Sequence, residues 1–324
     1  MRASGAVPRC RPLPPAGIIP PMRVLVTGSS GVIGRALVAA LADAGHTPVP
    51  AVRGAAGPPG SVPWDVATGR LGANGGALDA VVHLAGASIG GGRWTAARKA
   101  LLRDSRIAAT ERLAAHLAER PHSPRIFICA SGVSFYGDRG EEVLTEHSAQ
   151  GQGFLAQLAA EWEAAANTAA ASGMRVVSLR MGMVLARGGA LSRLVPVFRF
   201  GLGGRLSTGR QWISWIGLDD VLGIILAALA DDRYHGPVNT VAEPVRNAEF
   251  TRELARLLHR PAVLPVPAPA LRLLLGQMAD ELILASVRAE PLRLVGWNYA
   301  FRQPVLAGAL RAALAPVAPA IPRA

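Results

Sequence analysis

Apolar positions along this chain fall into two textures. Short unbroken apolar runs alternate with longer stretches in which apolar residues recur every three or four positions. Arg23–Thr27 (RVLVT) is the first run, and it reads as a strand buried on both faces. Ile33–Ala44 carries the helical period and stops at Gly45. Thr47–Val52 is the second strand, a third precedes Trp64, and Ala80–Leu84 is the fourth. Thr95–Glu119 is helical throughout, as one long helix or two, until Pro121–Pro124 ends it. Arg125–Ala130 and Arg175–Arg180 are further strands, and Gly153–Ser172 between them is an Ala-rich helix. Strands and helices alternating at this spacing predict an α/β fold with a doubly wound parallel sheet.

After about residue 185 the pattern loosens. Glycines cluster in 201–209, helices are expected at Asp219–Leu229 and Asn247–Leu258, and a Pro-rich connector, Pro261–Pro269, leads to a helix over Ala270–Leu284. This predicts a smaller mixed α/β lobe over the carboxyl edge of the sheet. The division is then 1–21 as a disordered extension or misplaced start (Met22 being an alternative initiator), 22–185 as the nucleotide-binding domain, 186–312 as a lobe interleaved with the sheet, and 313–324 as a flexible tail.

The turn between the first strand and first helix reads Thr27-Gly28-Ser29-Ser30-Gly31-Val32-Ile33-Gly34. A G-x-x-G-x-x-G loop in that position is a dinucleotide cradle of the Rossmann type. Gly28 permits the tight turn, Gly31 lets backbone approach the diphosphate, and Gly34 lets the helix pack on the strand. Ser29, Val32 and Ile33 supply the remaining backbone around the phosphates. The second strand ends in Arg53 rather than in an acid. An acid there would hold ribose hydroxyls, whereas a guanidinium suits a 2′-phosphate, so the expected cofactor is NADP(H). Asp65 is placed to meet the adenine. Leu84, Ala85 and Gly86 close the fourth strand with little bulk beside the cofactor.

The segments His83–Trp94, Asp104–Ile107, Ser131–Asp138, Leu179–Ala186, Trp212–Asp220, Val245–Ala262 and Pro265–Leu282 occur in that order. Together they resemble the atypical short-chain dehydrogenase/reductases called epimerase family proteins, over about residues 22–312. The resemblance implies a Rossmann fold, a nicotinamide cofactor and a conserved carboxyl-terminal domain of unknown role, and it implies no particular substrate. Most members of the wider superfamily carry Tyr-x-x-x-Lys, with both side chains on one helical face. This chain has a single lysine, Lys99, with Thr95 four residues before it. The expected positions fall on Phe154 and Leu158. In relatives a His often precedes the acidic pair Asp219-Asp220, and here that place is Gly217.

Other groups must then handle protons. Ser131 ends the fifth strand and Tyr136 follows it, so these two are the catalytic candidates, with Ser134 as an alternative to Ser131. On the substrate side, Arg93, Trp94, Arg98 and Lys99 follow the fourth strand. A continuous helix would group Arg98, Lys99, Arg103 and Arg106 on one broad face toward an anionic small molecule, a nucleotide sugar for example. Trp212 and Trp215, near Arg205 and Arg210, could hold a ring-shaped anionic ligand.

Composition adds mainly exclusions. The net charge of +12 comes from 34 basic residues against 22 acidic ones, but the arginines are dispersed, with no dense basic cluster interleaved with aromatics, so nucleic acid is not an expected partner. Two cysteines, Cys10 and Cys129, give neither a disulfide framework nor a metal-ligand spacing. No apolar run has the roughly 18–20 residues of a spanning helix, and no signal peptide opens the chain. The expectation is a cytoplasmic protein with a small-molecule substrate, no metal and no membrane, and with a homodimer as a possible assembly.

Overall fold

The computed structural model describes residues 20–54, 57–72 and 75–315. Most of the expected amino-terminal extension and carboxyl-terminal tail lies outside them. In chain order the first half gives β1 (Arg23–Thr27), α1 (Val32–Asp43), β2 (Thr47–Val52), β3 (Val62–Pro63), β4 (Ala80–His83), α2 (Ala96–Asp104), α3 (Ile107–Ala118), β5 (Ile126–Gly132), β6 (Val143–Leu144), α4 (Phe154–Asn167) and β7 (Arg175–Met181). The second half gives β8 (Met183–Leu185), α5 (Leu191–Arg199), β9 (Trp212–Ile213), β10 (Trp215–Gly217), α6 (Leu218–Ala230), β11 (Gly236–Thr240), β12 (Val245–Arg246), α7 (Asn247–Leu258), α8 (Ala268–Leu275), β13 (Arg288–Ala289), α9 (Leu292–Gly296) and α10 (Leu306–Leu314).

Seven strands form one parallel sheet in the order β11-β7-β5-β4-β1-β2-β3. The apolar strands are buried on both faces because helices cover both. In β1, Val24 and Val26 pack with Leu37 and Leu41 of α1 and Ile224 and Ile225 of α6. Leu25 between them faces the other way, into the layer of Leu113 from α3 and Trp162 from α4. The period of two thus divides a single strand between two cores. Strand order reverses between β1 and β4, and a parallel sheet opens its ligand crevice at that point, beyond the carboxyl ends of the strands.

The stretch after 185 contributes to both parts of the molecule. β11 adds a seventh strand beside β7, and α6 covers the sheet. A separate core of Leu185, Leu191, Phe198, Trp215, Phe250, Leu254, Leu306 and Leu310 gives the smaller lobe its own interior. Two two-stranded ladders, β10–β8 and β13–β6, tie the lobe to segments that follow the sheet strands, and a third, β12–β9, lies within the lobe. Helix Thr95–Glu119 is two helices. Ser105 bonds back to the Leu102 carbonyl and accepts the Ala87 amide, which interrupts the ladder there.

Candidate functional site

The glycine loop has no room for side chains at two of its three glycines. A Cβ on Gly34 would lie 2.2 Å from the Gly28 carbonyl oxygen, and one on Gly28 would lie 2.9 Å from Leu84 and Ala85 backbone. Gly28 also adopts φ +66°, a left-handed value that only glycine takes without strain. The Gly31 amide closes the turn onto Gly28 O at 2.9 Å. Gly31 then caps α1 with no side-chain acceptor. The first amides of α1, on Val32 and Ile33, therefore face outward as unpaired donors with the positive end of the helix dipole behind them. This cradle fits a dinucleotide diphosphate. Ser29 bonds to Ala51 O at 3.4 Å, which joins the loop to β2.

Arg53 stands at the end of β2 on a cavity of about 430 Å³, together with Gly54, Pro63, Trp64, Asp65, Val66 and Ala67. The structure thus brings Arg53 and Asp65 to one site. Asp65 is occupied by its own turn, accepting from Ala67 N at 2.9 Å and Thr68 Oγ1 at 2.8 Å. The Thr68 hydroxyl bond is the main reason its carboxyl lies below the ordinary carboxylate range. Arg53 is the exposed cation of this cavity, and among the described lining residues the acid is the self-bonded Asp65.

Behind the loop, β1 and β4 are joined by a fully buried histidine. His83 Nδ1 lies 2.8 Å from Thr27 Oγ1, and Nε2 lies 3.0 Å from Thr110 Oγ1. Donor and acceptor bookkeeping assigns the tautomer. Thr110 gives its proton to Arg106 O and accepts from Trp162 Nε1, so it takes a second donor, Nε2–H of His83. Thr27 accepts the Leu84 and Ala85 amides and so donates to Nδ1. No position is left for a second ring proton, and burial, aided by the nearby Arg106 charge, pushes the His83 pKa down to about 3. The neutral ring fixes the ends of β1 and β4, hence the Leu84–Gly86 wall of the crevice.

The catalytic candidates Ser131 and Tyr136 belong to one buried polar network. Ser131 donates to Glu163 Oε1 at 2.7 Å. Arg180 bonds both Glu163 oxygens at 2.8 Å, from Nε and Nη2. Its Nη1 donates to the Tyr136 hydroxyl at 3.0 Å, and that hydroxyl has Asn239 Oδ1 at 2.6 Å and Thr145 O at 2.9 Å as acceptors. The Arg180 guanidinium also lies 3.5 Å over the Phe135 ring. Tyr136 is fully buried, and burial raises its phenol pKa. Its oxygen is oriented by interior partners on all sides. Ser131 is 6% exposed and leads to an interior carboxylate.

The substrate-side candidates separate. Arg93 bonds Leu273 O at 3.2 Å and Lys99 bonds Gln277 Oε1 at 2.5 Å, so both reach the α8 region of the lobe. Trp94 donates to Ile89 O at 3.0 Å and packs edge-on against Phe154. Arg98 donates to Ser88 O, and Arg103 pairs with Glu161. Trp212 donates to Glu141 at 3.0 Å and stacks under Arg246 and Arg288. Trp215 lies 1% exposed in the lobe core and is not brought to the cleft with Trp212. The expected single helical face carrying Arg98, Lys99, Arg103 and Arg106 does not form. α2 ends at Asp104, and Arg106 turns inward to 6% exposure.

Phe154 and Leu158 of α4 pack with Leu102, Leu155 and Trp94. Glu281, which sequence reasoning passed over, caps α4 from 126 residues away by accepting the Leu155 amide at 2.8 Å. Asp220 lies fully buried and accepts the Arg302 and Gln303 amides, while Asp219 accepts from Gln303 Nε2. Among the described residues no cluster of His, Cys, Asp and Glu suits a metal ion, and no helix is long and apolar enough to cross a membrane.

Comparison with known proteins places these features in a family. The model of the NAD dependent epimerase/dehydratase family matches residues 24–240, and a domain of unknown function, DUF1731, matches 266–313. Epimerase family protein Mb2239 of Mycobacterium bovis is 42% identical over 292 residues, covering 89% of this chain and 96% of the relative. A crystal structure of human epimerase family protein SDR39U1 with NADPH superposes with TM-score 0.83 at 34% identity, over 90% of this chain and 99% of that one. A nucleoside-diphosphate sugar epimerase from Corynebacterium glutamicum superposes with TM-score 0.75 at 34% identity, over 91% of this chain and 58% of that one. The chain belongs to the NAD-dependent epimerase/dehydratase family.

Proposed function

We propose that this family member binds NADP(H) at the β1–α1 turn and acts with it as an oxidoreductase or epimerase on a small anionic, nucleotide-sugar-like substrate. The observation that carries the reading is Arg53, exposed on a cavity at the end of β2, the strand that Ser29 joins to the glycine loop, where an NAD site would offer a free acid. The NADPH in the human relative and the sugar-nucleotide name of the C. glutamicum neighbour support it.

Gly28, Ser29, Gly31, Val32, Ile33 and Gly34 hold the diphosphate, Arg53 the 2′-phosphate, and Asp65 flanks the adenine. Leu84, Ala85 and Gly86 line the far half of the cofactor. When bound, the coenzyme supplies or accepts a hydride. The chain's own contribution is to orient the substrate and manage its proton. Arg93, Trp94, Arg98, Lys99 and Trp212 edge the substrate side, with Arg98 held on Ser88 O of the loop that follows Gly86. The Ser131 hydroxyl, backed by Glu163 and Arg180, is the chain's proton relay. Tyr136 tensions that relay through Arg180.

A second reading, a non-catalytic NADP(H) sensor, is favoured by one feature. The Tyr136 hydroxyl is fully engaged by interior partners and Phe154 and Leu158 are apolar, so no preformed phenol faces the crevice. Incubating the protein with NADP⁺ or NADPH and a panel of nucleotide sugars separates the two. Change in reduced-nicotinamide absorbance, or stereochemical inversion seen by NMR, and its loss in Ser131→Ala, supports the enzyme. Tight coenzyme binding with no turnover across the panel supports the sensor.

A further inference from the structure

Arg106 is a buried cation without a counter-ion. Its side chain is 6% exposed, and it makes no ion pair among the described residues. Nη1 reaches the Leu102 carbonyl at 3.4 Å and the Ser105 hydroxyl at 3.5 Å, both long contacts, and Nε is buried with no partner. The Trp162 ring lies 4.9 Å from the guanidinium carbon and covers one face. Gly86 is at its edge, where a Cβ would come within 3.1 Å of Cζ and 3.2 Å of Nη2. Gly86 is the residue that closes β4 at the crevice.

A second guanidinium bounds the same loop. Arg98 lies against Gly91 and donates to Ser88 O, and its Nε is likewise buried without a partner. Two positive charges, each with a buried Nε that has no partner, therefore flank the 86–91 loop, Arg106 at Gly86 and Arg98 at Gly91. Burial and the Arg98 charge push the Arg106 pKa down to about 10, still well above neutrality, so Arg106 stays charged. Desolvating a guanidinium without a carboxylate costs several kcal/mol, and such a group is retained where an anion completes it. The position is held from behind, because the Arg106 carbonyl accepts from Thr110 in the His83 network.

We propose that Arg106, with Arg98 beside it, is the oxyanion subsite of the substrate: it receives a carboxylate or phosphate group of the molecule being processed, at the β4 end of the crevice. This rests on the proposed function and specifies the substrate as one whose anionic group lies close to the reacting carbon. The planar fork suits a two-oxygen group. The cofactor diphosphate is the other oxyanion in reach of the crevice; its cradle is the β1–α1 turn, against which Leu84 and Ala85 pack, and the NADPH titrations below distinguish the two.

The test uses oxalate and inorganic phosphate as probes, titrated by calorimetry into the full-length protein with and without saturating NADPH. The parent, Arg106→Gln and Arg98→Gln are compared, with NADPH titrated into each. Glutamine keeps a donor toward Leu102 O and removes the charge. The expected result is saturable binding of at least one probe by the parent without NADPH. That binding is expected to weaken by about tenfold or more in Arg106→Gln and by a smaller factor in Arg98→Gln, with NADPH affinity unchanged within about twofold. The measurement without NADPH reads the subsite even if coenzyme binding fails, so the two proposals fail separately. Probe affinity unchanged in Arg106→Gln overturns the proposal. So does a loss of NADPH affinity with the probes unaffected, which would assign the guanidinium to the coenzyme. If Arg106→Gln does not fold, Arg98→Gln decides: no weakening of probe binding there, or no probe binding by the parent, overturns the subsite.

Discussion

Glu163→Ala removes the centre of the polar interior. The Glu163 and Arg180 side chains retain 10% and 5% of their exposure and are joined by two bonds of 2.8 Å. Ser131 adds a third bond at 2.7 Å. Without the carboxylate, the Arg180 charge stays buried with the Tyr136 phenol as its remaining polar partner, and Ser131 loses its acceptor. Deleting one member of a buried ion pair costs about 3–5 kcal/mol. The stranded hydroxyl is worth about 1 kcal/mol and overlaps with that figure, since groups in one network are not additive. A total of about 3–5 kcal/mol corresponds to a Tm lower by about 4–7 °C for a chain of this size. Urea and thermal unfolding measure it. Glu163→Gln, which keeps an oxygen for Ser131, loses less. Glu163→Leu combined with Arg180→Met recovers most of the loss, because it removes both charges together. A loss below about 1 kcal/mol in Glu163→Ala, or a double variant no better than the single one, refutes the reasoning.

Three further outcomes follow from the same geometry. His83 is neutral when folded, with a pKa lowered from 6.5 to about 3, and it takes up a proton on unfolding between those values. The stability it contributes is complete above pH 6.5 and falls as pH drops through that window, by up to about 1.4 kcal/mol per pH unit. His83→Asn flattens the dependence between pH 7 and 5, as followed by urea unfolding, and an unchanged slope contradicts the buried neutral ring. Gly34→Ala sets a methyl 2.2 Å from Gly28 O, so it costs about 1–3 kcal/mol of stability and at least tenfold in NADPH affinity by fluorescence, and wild-type affinity in this variant shows that the loop is not the cradle. Glu281→Ala uncaps α4 and lowers stability by about 1–2 kcal/mol in thermal unfolding, while Glu281→Gln, able to accept the Leu155 amide, loses less.

What the sequence made legible follows from what a local pattern can encode. β1 and β2 match the sequence reading to the residue, β1 because a strand buried on both faces is an unbroken apolar run, and β2 because its apolar positions lie between Gly45 and the Arg53-Gly54 turn, with Val49 and Ala51 buried. The glycine loop was legible because its geometry is local. β11 was not. GPVNT opens with Gly-Pro and ends in polar residues, and only the structure shows that Asn239 and Thr240 are buried, with Pro237 tolerated because the strand lies at the sheet edge. Two-residue strands such as β6 and β9 carry no periodicity, whereas β3 falls where a third strand is expected before Trp64.

The polar interior was illegible for a different reason. Tyr136 meets Asn239 from 103 residues away, and Glu163 sits in an Ala-rich helix with no neighbouring signal. Trp215 read as a ligand platform because an aromatic near arginines looks the same whether it faces a cleft or a core. Arg106 was assigned to a helical face that exists only if α2 and α3 are continuous. Ser105 breaks that continuity, and the break turns the guanidinium inward.

The measurement that bears most directly on the account is a parallel fluorescence titration of the full-length protein with NADPH and NADH, repeated on Arg53→Ala. The account predicts clear preference for NADPH in the parent, reduced by about tenfold or more in the variant with NADH affinity little changed, since one charge-assisted contact to a phosphate is worth about 1.5–3 kcal/mol. Equal affinity for the two coenzymes, or a preference that survives Arg53→Ala, contradicts the assignment of Arg53 to the 2′-phosphate. Binding of neither contradicts the cofactor cradle itself.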